Sequence, residues 1–147
     1  MKLSKHVSLA EFEHSNTAKS KGISNAMNEE QINNAKLLCE KIFEPLRGYR
    51  NAPIKISSGF RSKALNTAIR GSQTSQHSKG EAMDLKINKD EFLYIKNNLP
   101  FDQLIYEFGN EDHPAWVHVS YSKTRQRGQV LRAVKNSAGK TVYLPYK

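Results

Sequence analysis

The sequence has one cysteine, Cys39, in 147 residues. Neither an internal disulfide nor a multi-cysteine metal site is therefore available. No stretch approaches the ~20 consecutive apolar residues of a membrane span, so membrane insertion is not expected. The N-terminus reads Met-Lys-Leu-Ser-Lys-His-Val-Ser-Leu-Ala-Glu, and Glu11 and Glu13 arrive before any apolar run. That pattern lacks the form of a secretory signal peptide. No internal repeat or low-complexity linker interrupts the chain. Acidic residues are few: 14 against 23 Lys and Arg, a formal net charge of +9. Such a balance favours an anionic partner, whether nucleic acid, an acidic membrane surface or a cell-wall polymer. No recognised nucleic-acid motif is present, so a nucleic-acid partner ranks last. At 37% hydrophobic the sequence is too rich in core-forming residues for a disordered chain. A chain this long buries roughly 68–70% of its unfolded surface and needs no disulfide to fold.

Residues 1–27 read as an N-terminal arm with a short helix, Ser15 to Met27 being polar and without period. Asn28 is a helix N-cap with Gln31 three residues on. Apolar residues then recur at Ile32, Ala35, Leu38, Cys39, Ile42, Phe43 and Leu46, which is helical spacing. Pro45 is expected to kink or end that helix. Cys39 lies in the apolar stripe and reads as a buried structural thiol. Ile54 to Ser58 predicts a strand, Ser62 to Ile69 a short helix, and Gly71 to Gly80 a polar loop. In Ala82 to Ile87, Met83, Leu85 and Ile87 share one face and Ala82, Asp84 and Lys86 the other. A helix from Lys89 to Asn98 follows, stopped by Pro100. Gln103 to Phe108 and Trp116 to Tyr121 read as strands. Gln129 to Val134 and Thr141 to Leu144 read as two more, joined through Asn136 to Gly139. Helices come first and strands later, which predicts one compact α+β domain over 1–147 with a small, mostly antiparallel sheet.

The densest chemical signal is Ser75-Gln-His-Ser-Lys-Gly-Glu-Ala-Met-Asp84, followed by His118 within Trp116-Val-His-Val-Ser120. Two imidazoles and a carboxylate make a three-ligand zinc site with a fourth position left for water. The alternation turns Asp84 away from Met83 and Leu85, and His118 away from Val117 and Val119, so both can line one cleft. There is no HExxH helix. Taken in order, Ser58-Gly-Phe-Arg-Ser62, Ser75-x-His77-x-x-Gly80-x-Ala82-x-Asp84 and Trp116-Val-His-Val-Ser-Tyr121 resemble one metallopeptidase family. It contains the zinc D-Ala-D-Ala carboxypeptidases and the L-Ala-D-Glu endopeptidases. Phe101-Asp-Gln-Leu-Ile-Tyr-Glu-Phe-Gly109 is similar to its small phage and bacterial members. The resemblance runs from about Leu9 to Arg132. It implies a Hedgehog/DD-peptidase-like fold with zinc in a cleft, and His77, Asp84 and His118 as ligands of one Zn2+ per chain. It further implies that Arg61 binds substrate and stabilises the developing oxyanion.

Many members of that family carry an acidic residue three positions before the third ligand, where this sequence has Ala115. A base is still needed. Glu107 is the candidate, since it faces opposite to Tyr106 and Phe108 on its strand. Glu81 is second, and Glu111 and Asp112 look like loop residues. Ser75 can orient the first ligand or bind substrate, and Gln103 shares the face of Glu107 as a further substrate-binding candidate. Trp116 shares the face of His118. Lys123, Arg125, Arg127, Arg132 and Lys135 form a basic flank, suited to an anionic cell wall or simply to solvent. The expected function is hydrolysis of amide bonds in peptidoglycan peptides by a monomer. The alternative is a zinc-stabilised domain that binds or assembles cell wall without cutting it. Without a signal peptide, the protein is expected to be made in the cytoplasm and to reach the wall through a phage holin or in a virion, or to recycle peptides internally.

Overall fold

The computed structural model covers residues 1–147, with helices leading and a sheet following. A two-stranded hairpin, β1 (Lys2–Ser4) and β2 (Val7–Ser8), leads into two short helices, α1 (Leu9–Glu13) and α2 (Asn16–Lys21). This start is more ordered than the polar sequence predicts. Ser8 and Ser15 cap the helices, each accepting a hydrogen bond from the third residue on. Leu3, Val7, Phe12 and Met27 join the main hydrophobic cluster of 23 buried residues. Four apolar side chains spread over 27 residues have no period, yet they suffice to tie the segment down.

The long helix begins as its sequence predicts. Asn28 accepts from the Gln31 N–H and the Gln31 side chain accepts from the Asn28 N–H, a complete capping box at the start of α3 (Glu29–Leu38). The helix does not end at Pro45. A π-helical turn (Cys39–Phe43) widens the ladder, with the Glu44 N–H bonded to the Cys39 carbonyl, and α4 (Glu44–Arg50) follows. Pro45 stands in the first turn of α4, where its missing N–H is tolerated. Ala35, Leu38, Cys39, Ile42 and Leu46 are all fully buried. Burial pushes the Cys39 thiol up to about 12, the state of an inert core cysteine.

A six-stranded sheet follows: β3 (Lys55–Ser58), β4 (Ala82–Lys86), β5 (Gln103–Glu107), β6 (Trp116–Ser120), β7 (Gln129–Lys135) and β8 (Thr141–Pro145). Its order is β3-β4-β6-β5-β7-β8, antiparallel except where β7 lies parallel to β5. Two helices lie between strands, α5 (Lys63–Ala68) and α6 (Lys89–Asn98), the second with its own capping box from Asn88 and Glu91. One sheet face carries Met83, Leu85, Leu104, Tyr106, Val117 and Val119 into the core. The other carries Asp84, Gln103, Glu107 and His118. The predicted loop 71–80 contains a 3-10 turn (Gln76–Lys79) that delivers His77 to this second face. No helix is long and apolar enough to cross a membrane.

Gly80 closes that turn with φ +76°, and a Cβ there would run into the Gln31 carbonyl of α3. The left-handed conformation and the backbone contact add together. Gly80→Ala is therefore expected to destabilise the fold by about 2–4 kcal/mol, read as a lowered midpoint in urea unfolding.

Candidate metal centre

The cluster forms where β3, β4, β6 and the 3-10 turn meet. Asp84 and His118 face each other across the β4–β6 register, and Ser58 at the end of β3 pairs with Asp84 on its other side. His77 arrives from the turn, and its own N–H is capped by the Ser75 hydroxyl at 3.2 Å. Two hydrogen bonds in opposite senses stitch this turn to the arginine segment. The Arg61 N–H donates to the His77 carbonyl at 3.1 Å, and His77 Nδ1 donates to the Gly59 carbonyl at 2.7 Å. Gly59 is needed there, because a Cβ would meet the Phe12 carbonyl.

The carbonyl of Gly59 can only accept, so the proton of a neutral His77 ring is on Nδ1 and Nε2 is bare. Burial drives the pKa of His77 down, which keeps the ring neutral. Burial alone would raise Asp84, but the hydrogen bond from the His118 ring opposes it, and the carboxyl is held well below the usual range. Asp84 Oδ1 lies 3.4 Å from His77 Nε2 and 3.2 Å from His118 Nδ1. His77 Nε2 and Asp84 Oδ1 are thus two lone-pair atoms held face to face with no proton between them. A cation resolves that arrangement. Zinc bound at about 2.0–2.2 Å to nitrogen and oxygen sets tetrahedral ligand atoms about 3.3–3.6 Å apart, close to both separations. All three donor atoms lie within 4.8 Å of one another. The residues fit a zinc ion. The second carboxylate oxygen, Oδ2, accepts from Arg61 Nη2 at 3.3 Å, while Arg61 Nε donates to Ser58 Oγ at 3.2 Å.

The chain matches the family model of Peptidase M15 over residues 5–120. It belongs to that family. The matched span contains Arg61, His77, Asp84 and His118 and ends at Ser120, the last residue of β6. No curated protein matches the chain.

Around the candidate metal centre lies a cleft of about 840 Å3, lined by the leading site residues named from the sequence: Arg61, Ser75, His77, Asp84, Gln103, Glu107 and His118. Trp116 lines it too, its ring edge-to-face with Phe108 at 5.5 Å. Ser75 caps the turn under His77, and Gln103 donates to the Gln129 side chain at 2.9 Å. Of the four acids considered for the base, Glu107 alone lines the cleft; Glu81 is buried outside it, and Glu111 and Asp112 are exposed on their loop. Burial pushes the Glu107 carboxyl up to about 7, with the negative charge of Asp84 adding to the effect. Two contributions were not legible in the sequence. Tyr143 of β8 lines the cleft, its phenol raised by burial and then by the charges of Glu107 and Asp84. Arg125 and Arg127, read only as part of a basic flank, line it as well. The sole advance signal for Tyr143 is its alternation with Thr141 in a strand not expected near the metal.

Two outcomes follow from this geometry. His77→Ala is expected to abolish stoichiometric zinc, checked by elemental analysis of the purified protein against one zinc per wild-type chain. The second concerns Glu107 in chelator-treated protein. Its folded pKa lies above the unfolded value of 4.5, so its charge penalises folding as pH rises from 4.5 through about 7 and leaves folding untouched below. Glu107→Gln is expected to melt higher than wild type at pH 8, with the difference vanishing toward pH 4, as read by thermal unfolding.

Proposed function

We propose that this M15 family protein is a zinc-dependent peptidase that hydrolyses amide bonds in peptidoglycan stem peptides. The observation that carries the reading is the set of Asp84 separations: ring nitrogens of His77 and His118 at tetrahedral-edge distance on one oxygen, and Arg61 on the other. A bound zinc ion supplies Lewis acidity and an activated water. Arg61 holds its guanidinium beside the metal ligands, and the part not engaged by Asp84 and Ser58 is available to a substrate carbonyl and the charge that develops on it. Glu107 takes a proton at its carboxylate and returns it to the leaving amine, a role supported by its place in the cleft and its raised pKa.

The absence of an acid at Ala115 is compatible with this role for Glu107. The Ala115 N–H donates to the Glu107 carbonyl at 2.9 Å, and Glu107 pairs with Trp116 across β5 and β6. A carboxylate from the neighbouring strand therefore stands beside the position that other members fill from the ligand strand. Peptidoglycan as the substrate is supported by the family and by the +9 net charge, suited to an anionic polymer.

The decisive measurement is mass spectrometry of muropeptides incubated with the full chain, with and without a zinc chelator. A product that disappears with chelator is expected, and its mass names the bond. Glu107→Gln should retain zinc and lose about 10²–10⁴-fold in turnover of that product. Zinc and murein bound without any cut bond would instead mark a cell-wall-binding domain.

A further inference from the structure

Asp102 is completely inaccessible, yet it is a carboxylate. It immediately precedes β5 and lies outside the metal centre. Arg127 donates to it three times, from its N–H at 3.1 Å, Nε at 2.8 Å and Nη2 at 3.1 Å. Arg125 Nη2 lies 3.3 Å away, and Gln76, the neighbour of His77, donates from Nε2 at 3.0 Å. The buried charge is thus compensated from three sides, and its own pKa is held low by Arg127 against the effect of burial. The result is to hold Arg127 in a fixed orientation at the cleft, with Arg125 beside it in ion-pair contact with the same carboxylate. Both remain substantially exposed, at 53% and 39% of their side chains, and Nη1 of each takes no part in these contacts. Cations dominate the cleft around them. Arg61, Arg70, Lys79, Arg125 and Arg127 line it, against the two carboxylates Asp84 and Glu107.

We infer that Arg125 and Arg127 form a carboxylate-binding subsite at one end of the cleft, which receives a free carboxylate of the peptide substrate. A guanidinium held rigidly by a buried acid loses little entropy on binding a second oxyanion and presents a planar fork to it. The position is set by the sheet. Asp102 adjoins Gln103, which pairs with Gln129 of β7, whereas Ile105 pairs with His118 and Glu107 lies two residues further. An extended peptide along β5 would place its carboxylate about 7 Å, or two residues, from the metal row, on the side away from Glu107. This assignment rests on the peptidase reading for its substrate class. It makes Arg125 and Arg127 specificity residues that lie beyond the span shared with the family model.

The test uses the metal-free full chain, so that zinc does not contribute to binding. The probes are a fluorescent murein stem pentapeptide with free carboxylates and the same peptide with every carboxylate amidated, followed by fluorescence anisotropy. Wild type is expected to bind the free acid about tenfold or more tightly than the amide. Arg125→Glu should erase most of that preference. It leaves the four Arg127 and Gln76 contacts of Asp102 in place, and thermal unfolding verifies the fold. Lys36→Glu, the same charge change on the exposed side of α3, should leave the preference intact. If Arg125→Glu folds and still prefers the free acid as wild type does, or loses no more than Lys36→Glu, the subsite is wrong. The milder Arg127→Lys, which keeps the charge and removes the fork, should weaken free-acid binding several-fold; unchanged binding would overturn the role of its geometry. Failure of the peptidase reading would show separately, as uncut muropeptides with the carboxylate preference still present.

Discussion

The buried carboxylate of Asp84 is the constraint on which the rest depends. Taking an ionised carboxylate out of water costs several kcal/mol, and the cost is met only if the surrounding groups are placed with care. Here its two oxygens have separate partners. One faces two imidazole nitrogens and the other faces a guanidinium. The position of Arg61 is therefore coupled to the metal centre through a single planar group. A group that contacts Arg61 is thereby brought beside the three candidate metal ligands. The reciprocal hydrogen bonds among Gly59, Arg61 and His77 close the same unit from the backbone side.

Hydrophobic burial enforces that arrangement at a distance. Met83, Leu85, Val117 and Val119 are fully inaccessible, and their strands alternate. A slip of one residue in β4 or β6 would turn them to the cleft and send Asp84 and His118 into the core. The core thus pins the register, and the register aligns the ligands. This is why Asp84 and His118 could be placed on one cleft from the sequence: the alternation that predicts the strand also predicts the face. The same period placed Gln103, Glu107 and Trp116 correctly. The helix start at Asn28 was equally legible, because capping is a local exchange of side-chain and backbone hydrogen bonds.

What escaped the sequence is non-local. The N-terminal hairpin and α2 are too short to show a period, and they are ordered by a few apolar contacts with residues far along the chain. The π-helical turn that carries the long helix past Pro45 depends on a shift of hydrogen-bond register that no single residue announces. The parallel pairing of β5 with β7 brings the C-terminal strands, and with them Tyr143, against the cleft. Asp102 was invisible for the same reason. A lone aspartate before a strand looks like a solvated loop residue until Arg127 and Gln76, 25 and 26 positions away, are folded against it.

The strand β5 links these parts into a polarised cleft. At its start, Asp102 and Gln103 adjoin the arginines. At its middle, Ile105 lies beside His118. At its end, Glu107 shares the low-dielectric side with Asp84 and is raised by burial and by that charge. The five cationic side chains make the cleft electropositive, but none of them forms an ion pair with Glu107. Had one done so, the carboxyl would be held ionised and weakly basic. Arg125 and Arg127 stand by the start of β5 and Glu107 at its end, where burial and the Asp84 charge raise its carboxyl more than Arg61 lowers it, with the three candidate metal ligands between them.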